Sequence, residues 1–174
     1  MTQHRASSWM LLGMVGVALL AGAAAAEAFC SYNTPACDQT IYGTSGADTI
    51  YGGPNNDCIF GNGGSDYLTG ANYGDDYLDG GDGDDQLYGG GGNDLLDGWT
   101  GNDFIMGESG DDNLFGYTGN DVLLGGSGSD NLCGENDDDE LYGGNNGSNY
   151  DYLEGDLGND KCQEGEETYY CERS

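Results

Sequence analysis

Aspartate recurs in phase along most of this chain, at Asp48, Asp57, Asp66, Asp76, Asp85, Asp94, Asp103, Asp112, Asp121, Asp130, Asp139, Asp151 and Asp160. Most neighbours in this series stand nine residues apart. Carboxylates at fixed spacing can do two kinds of chemistry. A pair can serve as acid and base, as in sugar hydrolysis. A row can gather hard divalent cations, which take oxygen ligands from carboxylates and backbone carbonyls. The same spacing repeats in every block, which favours a row of cation ligands over one catalytic pair. The plainer alternative is that each aspartate only closes an Asx-turn. A disordered acidic tract is a third reading.

The element that must position these side chains is a nine-residue block. Cut before each recurring glycine, the chain gives blocks starting at Gly43, Gly52, Gly61, Gly70, Gly80, Gly89, Gly98, Gly107, Gly116, Gly125, Gly134, Gly143 and Gly155. Eleven have nine residues, the block at Gly70 has ten, and the block at Gly143 has twelve. Gly80-Gly-Asp-Gly-Asp-Asp-Gln-Leu-Tyr88 has the ideal form. Aspartate fills position six. Position eight is Ile50, Ile59, Leu68, Leu78, Leu87, Leu96, Ile105, Leu114, Leu123, Leu132, Leu141 and Leu153, then Cys162. A disordered tract has no need of an in-phase aliphatic, so the pattern predicts a folded repeat array.

These blocks resemble the RTX family, whose nonapeptide reads G-G-x-G-x-D-x-U-x, with U a large aliphatic. The resemblance covers residues 43–163 and implies an all-β fold, a right-handed parallel β-roll of about 13 repeats. It also implies calcium as the bound cation, held between turns n and n+2. Seven odd and six even turns allow up to about eleven sites, with the thirteen aspartates as ligands. One departure stands out. Exported RTX proteins usually carry a C-terminal signal, whereas this chain begins with an N-terminal one.

The physical reading of the block agrees. Positions seven to nine are expected as a short strand, with position eight facing inward and seven and nine facing out. Glycine at positions one and four is expected to supply positive φ. Position four departs to Asn55 and Asp137, the non-glycine types that best tolerate that region. Two blocks make one coil of 18 residues. Odd and even blocks then build separate parallel sheets, with rungs about 4.8 Å apart.

Charge limits the partners. The formal net charge is −29, from 32 acidic and 3 basic residues. Nucleic acid and anionic membrane are both disfavoured, since each needs Lys and Arg. About eleven calcium ions would add +22 and bring the net charge from −29 to about −7, and so much self-repulsion suggests that folding requires them. Enzyme readings fail by inventory. The one histidine, His4, lies in the leader, and no G-x-S-x-G or H-E-x-x-H occurs. A non-catalytic chain is expected, with three uses in view: calcium binding coupled to folding, a structural or adhesive surface protein, or an accessory to a separate secreted enzyme.

Residues 1–28 read as a secretory signal peptide, with His4 and Arg5, an apolar run from Trp9 to Ala26, and a cleavage step at Ala26-Glu27-Ala28. Secretion is the expectation, and anchoring at the cell surface or in the periplasm is the alternative. Residues 29–42 would form an N-terminal cap and residues 164–174 a C-terminal cap. All six cysteines follow the leader, which suits an oxidising compartment. Cys30–Cys37 and Cys162–Cys171 are the favoured staples, with Cys133–Cys171 as a rival. Cys58 and Cys133 lie four rungs apart, about 19 Å, too far to pair with each other.

On the outer faces, Phe104, Met106, Val122 and Leu124 fall on adjacent odd rungs and should form one apolar cluster. Trp99 and Tyr117 are expected to stack at its turn edge. Such a patch could dock a protein or a second copy, although strands favour these residues in any case.

Overall fold

The computed structural model describes residues 34–144, 150–164, 167–169 and 171. Residues 1–33, which hold the expected leader and Cys30, lie outside them. The described chain is all β, in two parallel sheets wound as a solenoid of about seven coils. One sheet runs β1 (Gln39–Tyr42), β3 (Asp57–Phe60), β5 (Tyr77–Asp82), β7 (Leu95–Thr100), β9 (Asn113–Thr118), β11 (Asn131–Asn136) and β13 (Tyr152–Leu157). This is the even sheet. The odd sheet runs β2 (Thr49–Tyr51), β4 (Tyr67–Ala71), β6 (Gln86–Gly91), β8 (Phe104–Ser109), β10 (Val122–Ser127), β12 (Glu140–Gly144) and β14 (Lys161–Glu164). A last strand, β15 (Glu167–Tyr169), pairs antiparallel with β14 and covers the end of the odd sheet.

Separation of odd from even blocks follows from the 18-residue coil. Strand n hydrogen-bonds to strand n+2, so Leu87 meets Ile105 and Leu96 meets Leu114 in register. The position-eight side chains form the core. Ile59, Leu68, Leu78, Leu87, Leu96, Ile105, Leu114, Leu123, Leu132, Leu141 and Cys162 are fully buried in one cluster. Ile50 and Leu153, nearer the ends, are partly buried against it.

Four expectations need correction. The strands of the middle coils have six residues, from position seven to position three of the next block, twice the expected length. An extra rung, β1, precedes the first block, and its Ile41 packs on the core. Cys37 bonds to Cys58, not to Cys30, because β1 pairs with β3 and sets Thr40 beside Cys58. Finally, Trp99 and Tyr117 do stack, with ring centroids 5.0 Å apart, but they belong to β7 and β9 of the even sheet. Since the strands run on into position two, Tyr117 packs beside Phe115 and carries the stacked Trp99 with it, away from the edge of the Phe104 cluster.

The Cys162–Cys171 staple is present, with Cα atoms 5.8 Å apart, and it excludes Cys133–Cys171. Cys133 is also disulfide-bonded, and no described cysteine is free.

Candidate metal centre

Each turn ends at position six, just before the next strand begins. The aspartate carboxylate turns back along the solenoid axis, and its Oδ1 accepts the amide N–H of the position-six aspartate one coil earlier. Asp48 N donates to Asp66, Asp57 to Asp76, Asp66 to Asp85, Asp76 to Asp94, Asp85 to Asp103 and Asp94 to Asp112. Asp103 N donates to Asp121, Asp112 to Asp130, Asp121 to Asp139, Asp130 to Asp151 and Asp139 to Asp160. All are 2.7–3.0 Å long. The thirteen aspartates therefore lie on two ladders, one along each row of turns. Every step joins turn n to turn n+2, the pairing the sequence suggested.

The second oxygen has a different environment. Oδ2 of Asp57, Asp66, Asp76, Asp85, Asp94, Asp103, Asp112, Asp121, Asp130 and Asp139 is buried with no hydrogen-bond partner. Leaving a buried carboxylate oxygen unpaired costs free energy on the order of 1–3 kcal/mol or more. Ten repetitions of that cost point to a ligand. The neighbouring oxygen is a backbone carbonyl. A Cβ at Gly80 would lie 2.5 Å from Asp85 Oδ2 and 3.0 Å from the carbonyl oxygen of Gly98. At Gly52 the corresponding values are 2.7 Å to Asp57 Oδ2 and 2.9 Å to the Gly70 oxygen.

Position-one glycine is thus needed for close approach. The expectation of positive φ there is wrong, since none of these glycines has it. Positive φ falls at position four and at position two. Position two adopts it even with large residues, at Trp99 (φ 76°), Glu108 (75°), Tyr117 (74°) and Glu135 (77°). At position four, Asn55 (98°) and Asp137 (79°) adopt it as expected. A Cβ at Gly83, Gly92, Gly101, Gly110, Gly119 or Gly128 would overlap a position-four carbonyl one coil earlier. Backbone oxygens therefore crowd the same turns as the carboxylates.

Burial shifts the ladder carboxyls strongly. Desolvation pushes Asp94 and Asp139 up to about 8, and Asp103 and Asp112 to about 7. Asp76, Asp85, Asp121 and Asp130 rise to about 6 for the same reason. The accepted amide bond opposes each rise, and the carboxylates nearby add to it. Without a cation these groups resist ionisation, and a divalent cation would reverse that.

Position five was missed by the sequence reading. Asn56 Oδ1 accepts Asp75 N, Asp75 accepts Asn93 N, Asn93 accepts Asp111 N and Asp111 accepts Ser129 N. On the other row of turns, Asp84, Asn102, Asn120 and Asp138 accept Asn102, Asn120, Asp138 and Asn159 N. Each bond points opposite to its position-six counterpart. The available signal was the enrichment of Asn and Asp at position five.

Among the described residues, no three acidic, sulfur or imidazole side chains converge on one point. A cation here would rely on one or two carboxylates with backbone carbonyls, a donor set that suits calcium and not zinc.

A family model for the RTX calcium-binding nonapeptide repeat matches residues 38–68, 70–105 and 106–141, in 4 copies. The chain belongs to the RTX calcium-binding repeat family. Its match begins at residue 38, where β1 supplies the rung before the first glycine block. A search of the curated proteins finds no match. For this RTX chain, membership implies calcium binding, and the buried aspartate ladders fit it.

Proposed function

We propose that this chain is a secreted, non-catalytic calcium-binding module whose β-roll folds as its turns take up calcium. The row of buried, partnerless Oδ2 atoms carries this reading. The proposed ligands are Asp48, Asp57, Asp66, Asp76, Asp85, Asp94, Asp103, Asp112, Asp121, Asp130, Asp139, Asp151 and Asp160, with turn carbonyls completing the shells. Up to about eleven ions would fit, one for each n to n+2 step. Calcium supplies the positive charge that lets these carboxyls ionise while buried. Magnesium should substitute poorly, because it prefers a smaller octahedral shell and keeps its waters. The two disulfides between described cysteines support an oxidising compartment.

A calcium titration followed by circular dichroism tests the reading. The purified chain, placed in chelator at pH 7.5, should be largely unfolded and should gain β structure cooperatively as calcium is added. A spectrum already rich in β structure in excess chelator at that pH sinks it.

A second reading is favoured by the outer face of the odd sheet. The rings of Tyr51, Tyr67, Tyr88 and Phe104 follow one another at centroid spacings of 6.1, 5.2 and 5.8 Å. Phe104, Met106, Val122 and Leu124 continue that face and are partly exposed. This strip could dock a protein partner or a second copy, as in an adhesive surface protein. Phe104→Ser with Val122→Ser should then abolish calcium-dependent self-association or cell retention and leave calcium-induced folding intact. A wild-type chain that stays monomeric in calcium and binds neither cells nor co-secreted proteins has no such role.

A further inference from the structure

The even sheet carries two large rings where the repeat asks for none. Position two of its blocks runs Asn62, Gly81, Trp99, Tyr117 and Glu135 from rung to rung. Trp99 and Tyr117 hold φ at 76° and 74°, a region that bulky residues rarely adopt. Glycine serves the same position at Gly81 and Gly90, so the fold does not require the rings. Backbone strain kept at two neighbouring aromatics points to a use for them.

The order of the row decides what that use is. Tyr117 covers one face of the indole, with the ring planes 13° apart and the centroids 5.0 Å apart. That spacing is close to one rung, so the rings stack along the solenoid axis. The opposite face of Trp99 therefore looks toward β5, where its register partner is Gly81. Glycine brings no side chain to that place. On the rung beyond, the Asn62 side-chain amide turns away and donates to the Gly43 carbonyl oxygen at 3.0 Å. Among the described residues no ring other than Tyr117 lies against Trp99. From β5 to β12 Trp99 is the only large apolar side chain that is exposed, at 44%. The result is a slot over Gly81, with the indole as one wall. Asn62 and Trp99 stand two rungs apart, about 9.6 Å. A flat group in van der Waals contact on both sides needs about 7–8 Å.

The rim of the slot is acidic. Asp79, two residues before Gly81 on β5, takes hydrogen bonds from the Tyr77 hydroxyl, at 3.1 Å, and from the Trp99 side chain. Its carboxylate thus sits at the edge of the indole. Asp82 follows Gly81 directly, is exposed, and accepts Thr100 Oγ1 at 3.0 Å through Oδ1. An aromatic wall beside two carboxylates, in a chain of net charge −29, is complementary to a flat cation. A guanidinium is planar and stacks on aromatic faces, whereas an ammonium is a compact, strongly hydrated point charge.

We infer that the slot over Gly81 takes an arginine side chain of a basic protein partner, stacked on Trp99 and paired with Asp79 and Asp82. This docking point lies on the even sheet, apart from the aromatic strip of the odd sheet. It exists only where β5, β7 and β9 are stacked, so docking follows folding.

Titration of the calcium-loaded chain with arginine and lysine hexapeptides of equal charge, at physiological ionic strength, tests this. The arginine peptide should bind about five- to tenfold more tightly and should quench Trp99 emission to saturation. Trp99→Gly places at this position the residue already present at Gly81, so the variant should keep its circular dichroism in calcium. It should lose both the quench and the preference for arginine. Asp79→Asn should narrow that preference. Equal binding of the two peptides, or none, overturns the proposal. So does a preference that survives Trp99→Gly, since it would reflect general attraction to an acidic surface. Quenching by a neutral glucan hexamer and not by the arginine peptide overturns it in favour of a sugar. Should Trp99→Gly fail to fold, Asp79→Asn decides, and an unchanged arginine preference there overturns the proposal.

Discussion

At the scale of single residues, the ladder aspartates are unequal, and their neighbours say why. Asp103 is buried and joins Asp85 to Asp121 through one bond on each side. Asp151 follows the long block and is only partly buried, although its Oδ1 still accepts Asp130 N. Asp103→Ala should therefore raise the calcium midpoint more than Asp151→Ala, as read by titration of each variant. Equal shifts would show that the insertion loops out without cost to its site. Glycine substitutions separate the two glycine roles. Gly107→Ala places a methyl group against Asp112 Oδ2 and, at 2.8 Å, the Gly125 carbonyl oxygen, so it should weaken both calcium uptake and the fold. Glu108→Gly relieves an exposed position-two residue at positive φ. It should be neutral or stabilising by up to about 1 kcal/mol in chemical denaturation with calcium present. The sequence could not reveal this contrast, because glycine at position one looks the same whether it serves φ or close approach.

At the scale of elements, the turns carry the pH response and the strands carry the phase. In the middle of the ladders, Asp76, Asp85, Asp94, Asp103, Asp112, Asp121, Asp130 and Asp139 have folded pKa values raised by burial to about 6–8 from an ordinary value near 3.8. Between those limits the metal-free folded state binds more protons than the unfolded chain. Its stability is greatest below about pH 4 and falls as pH rises through 6 to 8. In chelator, acidification from pH 8 to pH 5 should thus increase β structure, and in calcium the same change should not. Circular dichroism at both pH values, with and without chelator, checks this. The strands were legible from the period alone, because an inward aliphatic every nine residues fixes both phase and sheet. Their lengths were not, since the extension through Trp99 and Tyr117 depends on ladder bonds between coils. Nor was the Cys37–Cys58 pair, because β1 lies before the first glycine block and only the rung it adds brings the two sulfurs together.

For the whole molecule, order passes from coil to coil. Each coil contacts mainly the coils before and after it, so stability is set by neighbour interfaces and by how the ends are closed. The C-terminal end is closed by β15 and the Cys162–Cys171 bond. Reduction of the disulfides should accordingly raise the calcium concentration needed for folding, measured as a shift in the titration midpoint. The ladder bonds carry one more implication. Most span 18 residues, yet the series takes in spans of 19 and 21 without breaking. Surplus residues are absorbed at the turns while the strands keep their phase. A duplication of eighteen codons anywhere in the regular stretch therefore inserts a complete coil that meets its neighbours correctly on both sides. Length in such a protein is a heritable variable that can change in one genetic event, with cation capacity rising by two sites at each step.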